Sequence, residues 1–133
     1  SVSETFSEFD PVPLGSASIG QVHRAKLKAD GREVAVKVQY ADSGRLFRKD
    51  IAAIRAFCSA LAPEHMVSLN ALENQNALEL DYLLEAENLR EVAVNMKRHG
   101  FTPREVVVPK PISSLTTARM LVMELLPGQK LVD

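Results

Sequence analysis

Apolar and polar residues alternate in "EVAVKVQY", with Val34, Val36 and Val38 on one side and Ala35, Lys37 and Gln39 on the other. A period of two marks a strand, because successive side chains leave a pleated backbone on opposite faces. The preceding "GQVHRAKLK" alternates less regularly through Val22, Ala25 and Leu27. Between the two runs lies Ala29-Asp30-Gly31-Arg32, whose Asp-Gly pair suits a tight turn, so a β-hairpin is predicted. The period then lengthens. Leu46, Ile51, Ile54, Phe57, Cys58 and Leu61 recur near helical spacing over residues 45–62, and Pro63 stops them. A second helix is predicted from just after Ser68 or Asn70 to His99, with Gly100 as its end. Its apolar stripe would be Leu69, Leu72, Leu80, Leu83, Leu84, Val92 and Met96, and the polar "ENQN" at 73–76 would be a break in it. Strand character returns after Pro103, at 106–108, 111–115 and 118–125. The opening "SVSETFSEFDPVP" is polar, carries two prolines and reads as an irregular lead-in. Hairpin, helices and strands in that order predict an α+β domain, an antiparallel sheet with helices on one side.

Composition adds bounds. At 133 residues the chain is one domain or part of one, and 46% hydrophobic with 25% charged residues is ordinary globular composition. A net charge of −1 leaves no basic footprint, so nucleic acid is not an expected partner. The single cysteine, Cys58, cannot form an internal disulfide, fits a reducing compartment and, within "AIRAFCSALA", reads as a buried structural thiol. No apolar run approaches the roughly 20 residues that span a bilayer, and no signal-peptide pattern opens the chain. Ser1 at the start and Leu131-Val132-Asp133 at the end suggest a piece of a longer protein. His23, His65 and His99 lack metal-ligand spacing and read as structural or surface residues, so no metal site is expected.

Four stretches could carry chemistry. "LGSASIGQVH" places Gly15, Ala17 and Gly20 at the three small positions of a phosphate-binding loop, with Ser16 and Ser18 between them and Val22 after. Small residues there let backbone N–H groups approach phosphates, although hairpin turns also collect small residues. Lys37, among Ala35, Val36 and Val38, either points to solvent or finds an anion. Its strand is paired by the hairpin to the strand leaving the loop, so its ammonium could lie beneath that loop. "ALELDYLLEAEN" supplies Glu79, Asp81, Glu85 and Glu87, either a solvated acidic helix face or a source of a partner for Lys37. Spacing does not choose between Glu79 and Glu85. In "MLVMELLPGQKL", backbone around Glu124 to Leu126 could meet an adenine edge, with Met123 gating the depth of the pocket.

Loop, hairpin, "VAVK", acidic helix and "LVMELLPG" follow the order of the N-terminal lobe of protein-kinase-like folds. The closer resemblance is to the UbiB family of atypical kinases, also called aarF-domain or ADCK proteins. "SASIGQVH" with "REVAVKVQ" resembles that family's alanine-rich loop and strand lysine, and "LELDYLLEAENL" is similar to its E-x-D helix. In that family the loop carries alanine where other kinases carry glycine, so Ala17 resembles a family feature, here flanked by Gly15 and Ser16. A methyl group there is expected to narrow the room for phosphates and stiffen the turn.

The resemblance implies a twisted antiparallel sheet with flanking helices, one of them a long αC-type helix. It makes Lys37 the phosphate-binding lysine, Glu85 its ion-pair partner, Glu79 and Asp81 the acids of the E-x-D motif, and Glu124 and Leu126 the hinge groups. The whole protein is then expected to bind ATP or ADP with Mg²⁺, whose ligands come mainly from a second lobe. Its setting would be ubiquinone or other isoprenoid-lipid metabolism at a mitochondrial, plastid or bacterial membrane, with lipid or quinone-pathway proteins as partners. This stretch by itself, without the second lobe or the family's N-terminal Lys-x-Gly-Gln extension, is not expected to transfer phosphate. The rival readings are a non-catalytic scaffold or nucleotide-sensing module, and an unrelated α+β domain in which loop and strand lysine are accidental neighbours.

Overall fold

The computed structural model describes residues 2–101 and 103–128. After a single helical turn, α1 (Val2–Thr5), the chain enters a five-stranded antiparallel sheet. Its strands are β1 (Phe6–Phe9), β2 (Gly15–Ser16), β3 (Gly20–Leu27), β4 (Glu33–Gln39) and β5 (Met120–Glu124). The predicted hairpin is β3–β4, in register from Gly20 opposite Gln39 to Lys26 opposite Glu33. Its turn is closed by Gly31 at φ 73, a left-handed conformation that glycine adopts without the clash of a side chain. β5 lies on the other side of β4, with Lys37 opposite Leu121. β1 and β2 share the outer edge of β3, β1 along Ala25–Leu27 and β2 along Gln21–Val22.

The sheet has two different faces. Ala25, Leu27, Val34, Val36 and Val122 project to one, where Phe6 completes a buried cluster flanked by Ile112 and Leu115. Leu121 and Met123 project to the other, where they meet Tyr82, Ala86 and Leu89 of a helix, together with Ile19. Ala35 and Lys37 share that second face by their alternation with Val34 and Val36.

Three longer helices connect β4 to β5: α2 (Ser43–Leu61), α3 (Met66–Glu79) and α4 (Tyr82–Arg98). A 3₁₀ turn at Pro63–His65 joins α2 to α3, and Arg55 ties the pair by donating to Asn70 and Glu73. Ile51, Cys58 and Leu69 are buried, Cys58 as its apolar setting predicts.

Several sequence expectations need correction. The lead-in is not irregular, because Phe6–Phe9 is a strand whose Phe6 plugs the core. The single second helix is two, divided at Leu80 and Asp81 rather than at "ENQN", which lies inside α3. Leu72, Leu83, Leu84 and Val92 of the proposed stripe are exposed, and the residues α4 buries are Tyr82 and Ala86. Of the three late strands, only Met120–Glu124 forms one. Pro111 makes an isolated bridge to Met123, residues 113–115 are a 3₁₀ turn, and 106–108 stay outside the sheet. Proline lacks the N–H a ladder needs, which keeps this segment at the edge.

Candidate functional site

Lys37 and Glu85 come from residues 48 apart in sequence. The β4 register places Lys37 opposite Val22 on the face that α4 covers. Asp81 starts α4 as its N-cap, its carboxylate accepting from the Leu83 amide at 2.9 Å, and this sets Glu85 in the first turn. The Lys37 ammonium donates to both Glu85 oxygens at 2.7 Å. The two side chains are 22% and 35% exposed, so the pair is only partly screened by water. Of the candidate acids, the lysine therefore pairs with Glu85. Glu79 ends α3 exposed to solvent, and the acids do not form one helix face.

A third group completes the arrangement. Tyr82 is wholly buried, and its ring lies under the Lys37 ammonium with 4.8 Å from Nζ to the centroid. Burial, and then the negative charge of Glu85 and the neighbouring Tyr40, push the Tyr82 hydroxyl up to about 12.

The small-residue loop is a hairpin of its own. Leu14 N–H donates to the Val22 carbonyl at 2.7 Å, Gly15 and Ser16 pair with Val22 and Gln21, and Ala17 N–H donates to the Gly20 carbonyl at 2.8 Å. No residue of this loop has positive φ, so Ala17 sits there without backbone strain. Gly20 is required for a different reason. A Cβ on it would fall 2.3 Å from the Val38 carbonyl oxygen and 2.8 Å from the Tyr82 hydroxyl.

The family model of the ABC1 atypical kinase-like domain matches residues 1–133. The chain belongs to that family. It is 37% identical over 92% of its length to a Dictyostelium discoideum protein named as a probable serine/threonine-protein kinase, abkA. It is 34% identical over 99% of its length to AarF domain-containing protein kinase 1 of Xenopus tropicalis. The same identity over 98% links it to an uncharacterized, chloroplastic aarF domain-containing protein kinase of Arabidopsis thaliana. The chain spans 24%, 25% and 19% of these relatives, about a quarter or less of each. The UbiB resemblance and the kinase-like N-lobe fold, with α4 in the place of the αC-type helix, both stand on this match.

Within this ABC1 lobe the two acids expected to form the E-x-D motif straddle the joint between α3 and α4. Glu79 is the last residue of one helix and Asp81 the cap of the next. Gln39 pins that joint from β4: its side-chain amide donates to the Leu80 carbonyl at 2.7 Å and the Ala118 carbonyl at 3.2 Å. Tyr82 N–H also donates to Ala118, at 3.0 Å. Along the predicted hinge, Met123 packs against the Tyr82 cluster, and Glu124 N–H donates to the Lys110 carbonyl at 3.0 Å. The Glu124 amide is thus already bonded within the sheet margin. Leu125 and Leu126 are half-buried and line, with Leu14, Arg24 and Glu33, a cleft of about 390 Å³. The end of "MLVMELLPGQKL", from Gln129 onward, and Leu131-Val132-Asp133 lie outside the described residues.

His23 is buried, with Nδ1 2.8 Å from the Asp10 carbonyl, a structural role. Among the described residues no group of three or more His, Cys, Asp or Glu could hold a metal, and no helix is long and apolar enough to cross a membrane. The sequence reading passed over Tyr82 and Gln39. Gln39 was accessible to it, being two residues beyond Lys37 on the same strand face. Tyr82 was obscured because the proposed single helix gave position 82 no special place.

Proposed function

We propose that this chain is the nucleotide-binding lobe of an ABC1 atypical kinase or ATPase. The observation that carries the reading is the Lys37–Glu85 ion pair, held on the sheet with Lys37 opposite Val22, where the Leu14–Val22 hairpin ends. A cation fixed in a partly buried setting, with a loop of small residues beside it, suits the phosphates of ATP or ADP. Val22, Ala35 and Met123 give the same face an apolar floor for a purine ring. The Glu124 carbonyl and the Leu126 backbone would address its edge, since the Glu124 amide is engaged by Lys110.

When bound, the nucleotide with Mg²⁺ supplies the transferable phosphoryl group. What this chain's residues do is hold and orient. Glu85 keeps the Lys37 ammonium in place, and the loop would present backbone N–H groups. The acids that bind metal and accept a substrate proton would come from parts of the protein beyond this chain. In the whole protein we assign the role to ubiquinone or isoprenoid-lipid metabolism at an organellar or bacterial membrane. That assignment is supported by the UbiB resemblance and by a relative whose name is chloroplastic. The second reading, a non-catalytic scaffold, has in its favour the exposed apolar residues of the α2–α3 pair, Phe57, Leu61, Val67 and Leu78.

A thermal-shift titration with ADP and ATP, with and without Mg²⁺, tests the reading on this chain and on the full-length protein. A ligand at about 100 times its dissociation constant stabilises by roughly 2.7 kcal/mol, and Lys37→Ala should abolish most of that shift. A folded full-length protein that shifts with neither nucleotide contradicts the reading and favours the scaffold.

A further inference from the structure

The Lys37–Glu85 pair does not explain why α4 buries a tyrosine beside it. Tyr82 is 0% exposed, yet its hydroxyl has no hydrogen-bond partner, alone among the buried side-chain polar atoms of the described residues. A buried, unpaired hydroxyl costs about 1–3 kcal/mol, so the contacts that favour this residue are those of its ring. The ring makes two contacts that a smaller side chain could not make together. Its face lies 4.8 Å from the Lys37 ammonium. Its far end stands against Gly20, where the loop re-enters the sheet, 2.8 Å from the place a Cβ would take.

We propose that Tyr82 is a positioning residue for Lys37, its ring face holding the ammonium where a phosphate-bearing ligand would meet it. The inference rests on the nucleotide reading and adds a residue to it. An ammonium has three N–H donors, and Glu85 takes two of them at 2.7 Å. A carboxylate alone leaves the long lysine stem free to swing about that contact. The negative face of an aromatic ring closes off the underside and leaves the remaining donor for the ligand. Because an aromatic side chain has only two rotatable bonds and this one is wholly enclosed, it also carries the loop end at Gly20 and the lysine as one unit.

The test uses the full-length protein and replaces Tyr82 with phenylalanine and then with mono-, di- and trifluorinated phenylalanines. Fluorine drains the negative ring face while leaving shape and packing nearly unchanged, so all the variants should fold. Binding of Mg·ADP and of adenosine is measured for each by calorimetry. Tyr82→Phe keeps the ring, and its affinity for ADP should stay within about threefold of the wild type. Across the fluorinated series the ADP affinity should fall stepwise by roughly three- to tenfold in total, the range of a partly screened cation–ring contact. Adenosine, which has no phosphate, should bind the whole series equally. ADP affinity that stays level across the series overturns the role of the ring while leaving the nucleotide reading intact. Adenosine binding that falls in parallel with ADP also overturns it, since the ring would then be supporting the fold rather than the lysine. Wild-type protein that binds neither ligand overturns the nucleotide reading and this inference with it.

Discussion

At the scale of single residues, close approach rather than backbone freedom governs the loop. Gly20 is buried, and the groups its Cβ would meet include the backbone oxygen of Val38, which cannot swing aside. Gly20→Ala should therefore cost about 1–3 kcal/mol in urea unfolding, the usual range for overpacking. Ala17, exposed and without positive φ, carries its methyl group without such a conflict. Tyr82 gives a pH signature. Its hydroxyl is raised from 10.0 to about 12 in the folded chain, chiefly by burial. Below pH 10 both states keep the proton; between 10 and about 12 the unfolded chain loses it while the folded chain retains it. Stability should then fall as pH rises through that window, and Tyr82→Phe should flatten the fall. Unfolding midpoints of the two proteins at stepped alkaline pH would show it. Lys37 stood out in sequence because an ammonium in an apolar strand must either reach solvent or find an anion. Which acid answers it was not legible there, since the choice depends on how α4 is aimed across the sheet.

Among the elements, the hairpin was the most legible. Strict alternation and an Asp-Gly turn are local signals, and β3–β4 follows them in register from Gly20 to Glu33. The helical joint was not legible, because the apolar residues on either side continue with helical spacing through Leu80. What breaks the helix is tertiary: Gln39 captures the Leu80 carbonyl, and Asp81 caps the next helix instead of continuing the last. Replacing Gln39 by leucine should leave the Leu80 and Ala118 carbonyls without that donor. A loss of about 1–2 kcal/mol is expected, together with faster amide exchange in the first turn of α4. Unchanged exchange there would mean that Asp81 and the Tyr82 amide hold the joint unaided. The edge segments escaped the sequence for a related reason. Phe6–Phe9 is strand because β3 offers it a ladder and the core accepts Phe6, facts that no short window contains.

For the whole molecule, the sheet divides the labour between its faces. One face closes a mainly apolar core around Val34, Val36 and Val122, with buried His23 at its side. The other brings the loop end, Lys37, α4 and Met123 of β5 together, so the candidate site stands on rigid elements rather than on loops alone. The family and the kinase-like N-lobe were legible because several short motifs keep their order along the chain. The substrate was not, because the chain covers about a quarter or less of the relatives described. The central claim, that a nucleotide sits between the small-residue loop and Lys37, has a direct measurement. Amide chemical-shift changes on titrating Mg·ADP should cluster at residues 14–22, at Ala35 to Lys37 and at Met123 to Leu126. Changes confined to the α2–α3 surface, or none in a folded protein, would contradict it.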